Sequence, residues 1–195
     1  MKLLLRSAAA SLAISLSACS GLLGGGKPPA TLVILTPEVG EPTQMVRTAA
    51  AAQAVTILTP VVSRELRTVR VPVQVNQVDV QYVANLTLSD TPDRLFADLV
   101  AETVRRTTNR VVLDPRQASL EPGLTVSGTL QRFGYDSASG QVIVQYDGSF
   151  TNGGSIQTHR FTATAPADGT AATVGPALNR AANQVAQQVA QWIGG

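Results

Sequence analysis

Leu124-Thr125-Val126-Ser127-Gly128-Thr129-Leu130-Gln131-Arg132-Phe133 is the first of three runs in which apolar and polar residues take turns. Gln141 to Thr151 is the second and Ser155 to Thr164 the third. A period of two is the signature of a strand with one face buried. Between the runs lie Asp136 to Gly140 and Asn152-Gly153-Gly154, whose residue types supply the positive φ and side-chain acceptors that tight turns need. The three runs therefore predict an antiparallel meander, and Leu124 to Phe133 is expected to alternate without interruption.

Downstream the period changes to that of a helix. Leu178, Ala182, Val185, Val189 and Trp192 form one stripe, while Gln184, Gln187, Gln188 and Gln191 mostly face away. Gly175-Pro176 marks the expected start of this helix and Gly194-Gly195 its end. Upstream, Thr91-Pro92 opens another helix, with Phe96, Leu99, Val100, Thr103 and Val104 at helical spacing. Asp93 and Asp98 lie towards its start and Arg105, Arg106 and Arg110 towards its end, an order that complements the helix dipole.

Shorter β-prone runs complete the pattern. They are Thr31 to Leu35, Val55 to Leu58, Val69 to Val83 and Val111 to Leu113, with residues 38–54 reading as a loop. Within Val69 to Val83 the valines change parity after Asn76-Gln77, which predicts a bulge or tight turn there. Pro72 has no N–H to give and points to an edge or to that irregularity. The order β-β-β-α-β-β-β-β-α implies an α+β fold. Its sheet is mixed or antiparallel and carries the C-terminal meander, and the two main helices pack on one face.

The first thirty residues are of a different kind. Lys2 and Arg6 precede an apolar stretch through Leu16, the layout of a secretory signal. The stretch is shorter than the roughly 20 apolar residues a membrane span takes. It ends at Leu16-Ser17-Ala18-Cys19, and Cys19 is the sole cysteine of the chain. A lone cysteine directly after a small-residue cleavage site resembles the lipobox of bacterial lipoproteins. There the thiol is alkylated by a diacylglycerol and the freed amine is usually acylated too. Each buried methylene contributes roughly 0.8 kcal/mol, so two or more chains hold durably. Residues 1–18 are then the signal peptide. Residues 19–30, with Gly24-Gly25-Gly26 and Pro28-Pro29, are a lipidated tether, and residues 31–195 are one domain. Ser20 follows the cysteine where an inner-membrane retention signal would have Asp, which favours the outer membrane.

The chain of 195 residues has 15 basic and 13 acidic side chains. Lys2 and Arg6 leave with the signal, so the mature chain carries 13 of each and is neutral. Nothing in that balance, and no basic block, calls for nucleic acid.

Residues for catalysis are scarce. His159 is the single histidine and sits in an expected strand without a partner for zinc. Asp136 and Asp147 bracket a hairpin, where carboxylates more often cap turns than form an acid/base pair. No phosphate loop, dinucleotide fingerprint or nucleophile elbow is present, and no cofactor is called for. The sequence gives no support for an enzyme.

Taken together, these stretches resemble the ABC-type transport auxiliary lipoproteins, partners of mammalian-cell-entry (MCE) lipid transport systems. The resemblance runs through the lipobox, Thr31-Leu32-Val33-Ile34-Leu35 and Arg67-Thr68-Val69-Arg70-Val71-Pro72-Val73 to the helix Asp93 to Arg106. It continues in Leu124 to Gly128, Leu130 to Gly134, Val142 to Tyr146 and the last helix, Ala177-Leu178-Asn179-Arg180 to Trp192-Ile193. The family often has a Trp just before its first helix, where this chain has Asp90-Thr91-Pro92-Asp93. The resemblance implies a non-catalytic accessory that docks to an MCE-domain protein and an ABC permease/ATPase complex, with a homo-oligomer one arrangement it allows. The competing class is an envelope-biogenesis lipoprotein that binds and regulates a cell-wall synthase. Val185, Val189, Trp192 and Ile193 on the last helix are the expected partner surface, or else simply its core-facing stripe. The strand Leu32 to Leu35 could instead add to a neighbour's sheet if it sits at an edge.

Overall fold

The computed structural model describes residues 31–41, 46–116 and 123–194. The signal peptide, Cys19 and the tether fall outside the described residues. In chain order the elements are β1 (Val55–Ile57), β2 (Val61–Val62), β3 (Arg70–Gln74), β4 (Val80–Thr87), α1 (Pro92–Thr107), β5 (Val112–Leu113), β6 (Leu124–Asp136), β7 (Gln141–Asn152), β8 (Ser155–Pro166) and α2 (Ala171–Gly194). This is the expected α+β class, with one mixed sheet of eight strands.

The meander β6-β7-β8 is antiparallel throughout, with β8 paired only to β7. The free side of β6 is shared by three short segments in parallel. β1 lies against Leu124 to Val126, β2 against Thr129 and Leu130, and β3 against Tyr135 and Asp136. One stretch of chain thus runs beside β6 as an interrupted strand. Each piece is too short to show a period, and Val61–Val62 escapes sequence reading for that reason.

The uninterrupted alternation expected from Leu124 to Phe133 fails at one residue. Leu130 pairs with Tyr146 but Arg132 pairs with Gln145, so Gln131 is a bulge. The buried set moves from Leu124, Val126 and Leu130 to Phe133, the other parity. Near Asn76 the expected irregularity is a tight turn joining β3 to β4. Asn76 Oδ1 accepts from the N–H groups of Val78 and Asp79, both at 2.9 Å, and the Val75 N–H donates to the Asp79 carbonyl. Pro72 lies at a register shift between β3 and β4, as a residue without a donor requires.

Thr31 to Leu35 is extended but is not a strand. Val33 alone makes a bridge, in parallel, to Leu88 just beyond β4.

Both helices lie on one face of the sheet. Phe96 of α1 packs on Tyr146 with ring centroids 5.1 Å apart, and Trp192 of α2 packs on Phe150 and Phe161 at 5.5 and 5.4 Å. Those three sheet residues share the helix-covered face, while Asp147, Ser149, Thr158 and Arg160 point to the other. Pro92, at the start of α1, is buried. The helix C-termini meet, and Arg110 donates to the Ile193 carbonyl at 3.1 Å, which offsets the adjacent negative dipole ends.

Helix α2 begins a turn earlier than Gly175-Pro176 suggested. The Asp168 carboxylate accepts from the Thr170 N–H and from the hydroxyls of Thr170 and Thr173, and this cluster starts the helix at Ala171. Pro176 consequently lies inside the helix, where its missing N–H leaves the Ala172 carbonyl without its usual donor. The Thr173 and Thr170 hydroxyls push Asp168 down to about 2 from an ordinary 3.8. A depressed carboxyl adds stability above its unfolded pKa and loses it as pH falls through the folded value. The first turn of α2 is therefore expected to loosen between about pH 4 and pH 2. Chemical-shift titration of the Asp168 carboxyl and the Thr173 amide checks this; a midpoint near 4 would contradict it.

Candidate functional site

The lipid anchor is the expected working residue, so the junction between tether and domain is where the fold matters most. Residues 31–41 form a strap that leaves the Val33–Leu88 bridge and crosses α2 towards α1. Two asparagines one helical turn apart hold it. Asn179 Oδ1 accepts from the Thr36 N–H at 2.9 Å, and Asn183 Oδ1 accepts from the Glu38 N–H at 2.8 Å. Asn183 Nδ2 donates to the carbonyls of Thr36 and Asn179, each at 2.9 Å. The spacing has a simple cause. Four helix residues rise about 6 Å and two extended residues about 6.7 Å, so amides at i and i+4 meet alternate backbone groups of an extended chain.

The far end of the strap is fastened by charge. Arg106 donates to the Val39 carbonyl at 3.1 Å and pairs with Glu102 at 2.7 Å and Glu41 at 3.4 Å. The Arg106 guanidinium, helped by that of Arg105, holds Glu102 below the usual carboxylate range although burial opposes them. Asn183 is fully buried with both ends of its amide satisfied, so it is a structural polar group in an otherwise apolar stripe.

Of the four residues proposed as a partner surface, three are not at the surface. Val185, Val189 and Ile193 are buried to within 1% of complete exclusion because they fasten α2 to the sheet. Only Trp192 reaches solvent in part, with its ring near Phe150, Phe161 and, at 6.4 Å, His159. Leu32 to Leu35, weighed as a strand that could add to a neighbour's sheet if at an edge, is part of the strap, with Val33 alone bridged to Leu88.

The residues weighed for chemistry lie apart. His159 is exposed on β8 with its ring 4.6 Å from Phe161. Asp147 is bidentate with Arg160, at 2.6 and 2.7 Å, which holds its carboxyl below the usual range. Asp136 is likewise depressed by Arg132 at 2.7 Å and by the Ser139 N–H. Asp136 pairs with Gln141 and Asp147 lies six residues along β7, so the two carboxylates are about 20 Å apart. Neither is poised to carry a proton at neutral pH, and they cannot share one. Among the described residues no three metal-ligating side chains gather, and no helix is long and apolar enough to cross a membrane.

The sequence pattern of the ABC-type transport auxiliary lipoprotein component matches residues 36–190. The chain belongs to this family. The match begins within the strap and ends in α2. The fold is similar to that of a Xanthomonas campestris protein of the DUF330 family, at 15% identity and a TM-score of 0.69, over 83% of this chain and 94% of that one. An uncharacterised protein is similar at 13% identity and 0.61, over 76% and 96%. A PelC dodecamer subunit from Paraburkholderia phytofirmans aligns at 13% identity with a TM-score of 0.43, over 78% and 95%. No curated protein matches the chain.

Sequence reading missed the clamp. Its signal was present: Asn179 and Asn183 interrupt the apolar side of an Ala- and Val-rich helix at i and i+4. Such residues disfavour a helix interior unless something answers their amides.

Proposed function

We propose that this auxiliary lipoprotein is a non-catalytic docking subunit of an MCE-type ABC transporter, anchored by lipidated Cys19 on the periplasmic side of the outer membrane. It assists movement of phospholipid or other hydrophobic cargo between the two membranes. The family match over residues 36–190 carries the reading. The lipobox at Leu16 to Cys19, with Ser20 after it, supports the anchor and the membrane. Lipid tails cannot cross an aqueous gap exposed, so a shielded path must meet a membrane at each end. Confinement to that membrane raises the effective concentration of a docking domain, so a modest contact surface is enough. The strap suits this role because the residues that follow the tether in sequence are held to the helix layer by fixed hydrogen bonds.

Replacement of Cys19 with serine tests the anchor and the role together. In a strain lacking the native gene, the wild-type protein is expected in the outer-membrane fraction and restores outer-membrane lipid asymmetry. Cys19→Ser should stay in the membrane as uncleaved precursor or appear in the soluble periplasm, and should not restore it. Full restoration by Cys19→Ser would overturn the reading. So would a deletion strain that changes cell shape and leaves lipid asymmetry intact, the result expected of a cell-wall regulator.

A further inference from the structure

We propose that the tip of the β3–β4 hairpin rests on the lipid surface that holds the anchor, so that the domain stands on the membrane in a fixed orientation. The proposal rests on the reading of Cys19 as lipidated.

The tip displays apolar side chains that the fold does not use. Val78 is 85% exposed, and Val75 and Val80 flank it at 37% and 39%. Three polar side chains of the hairpin engage one another or the turn backbone. Asn76 accepts from two backbone N–H groups and donates to Asp79 Oδ2 at 2.6 Å, while Gln74 Nε2 donates to the Asn76 carbonyl. Gln77 and the Asp79 carboxylate stay in the hydrated headgroup layer while the valines leave water, so the contact is shallow and the valines gain. The base of the hairpin is held firmly. The Ser137 N–H and hydroxyl both donate to the Gln74 carbonyl at 3.0 Å, which ties the hairpin to the β6–β7 turn.

The direction of the chain identifies the occupant. Val33 pairs with Leu88 in parallel, so the chain traced back from Val33 to Thr31 heads along β4 from its Thr87 end towards Val80 and the tip. Eleven residues separate Cys19 from Thr31, a reach of at most about 40 Å. β4 bulges opposite Arg70 and Pro72, and from Thr87 to Val80 it spans the same length as Arg70 to Gln74 of β3, about 14 Å. Thr31 thus lies on the hairpin-tip side of the Val33–Leu88 bridge, and eleven residues are enough to reach past the tip. Among the apolar side chains at that end, Val78 is the most exposed to such a surface.

The test uses the mature lipidated protein on phosphatidylcholine vesicles. With Cys19 blocked by its thioether, Val78→Cys provides the one free thiol for an environment-sensitive fluorophore, and Asn152→Cys does so at the opposite end of the sheet. Flotation reads the anchor independently. The expected result is a blue-shifted Val78 probe, quenched several-fold more by lipid-borne quencher than the Asn152 probe and unchanged at high salt. A floated protein with both probes in water, or equally quenched, would overturn the proposal. Shielding of Val78 that follows protein concentration in detergent and ignores vesicles would assign the tip to a second copy and overturn it too. Failure to float overturns the lipidation of Cys19 first, and the proposal falls with it.

Discussion

Gly128→Ala is expected to destabilise the domain by about 3 kcal/mol, at the upper end of what one added methyl costs in a packed interior. A Cβ at Gly128 would lie 2.1 Å from the Asp147 carbonyl oxygen and 2.8 Å from two carbons of the Tyr146 ring. The first neighbour is backbone within the β6–β7 ladder and cannot turn aside. Gly128 pairs with Gly148, and together they leave a bare patch on the helix-covered face that the Tyr146 ring covers. The Tyr146 hydroxyl then donates to the Ser127 carbonyl at 2.7 Å, and burial pushes its phenol well above the ordinary range. Gly148→Ala meets ring carbons at 2.9 and 3.2 Å instead of backbone and is expected to cost less. Denaturant unfolding of the two variants decides the matter. A Gly128→Ala midpoint within error of wild type would contradict the close approach of β6 and β7 described here.

Asn183→Ala should release the strap. The substitution removes the acceptor of the Glu38 N–H and the donor to Thr36 and Asn179. Leaving such groups unpaired costs about 2 kcal/mol, limited because a freed strap can be hydrated. That is a ~30-fold rise in the detached population. Glu-specific proteolysis at Glu38 reads it directly, and the rate should rise by about that factor while the unfolding midpoint of residues 46–194 changes little. Asn183→Asp keeps an acceptor for Glu38 and loses the donor, so it should fall between wild type and alanine. Equal cleavage of all three proteins would show that the strap is held without Asn183, by Val33, Leu35, Asn179 and Arg106.

What sequence reading recovers follows the range of the signal. The meander, α1 and the stripe of α2 rest on periods sustained over ten or more residues, and these are found where expected. The parallel strands β1, β2 and β3 are short and depend on β6, far along the chain. Periodicity therefore shows Val55 to Leu58 but neither Val61–Val62 nor the parallel pairing. The Gln131 bulge was visible as a three-residue step from Leu130 to Phe133, which strict alternation does not allow. Pro176 misled because proline favours a first helical turn, and the cluster of Asp168, Thr170 and Thr173 started the helix sooner. The site was legible only in part. An apolar stripe reads the same whether it meets a partner or its own sheet, and for Val185, Val189 and Ile193 it meets the sheet. The clamp depends on side-chain amides meeting backbone some 140 residues away, a relation with no local period.

The proposed role is that of a lipid-anchored, non-catalytic domain serving an MCE-type ABC transporter. Affinity capture of the lipidated protein from cross-linked native membranes tests it most directly. The account predicts recovery of the permease, the ATPase and an MCE-domain subunit, and their loss with Cys19→Ser. Recovery of a cell-wall synthase with none of those subunits would contradict it.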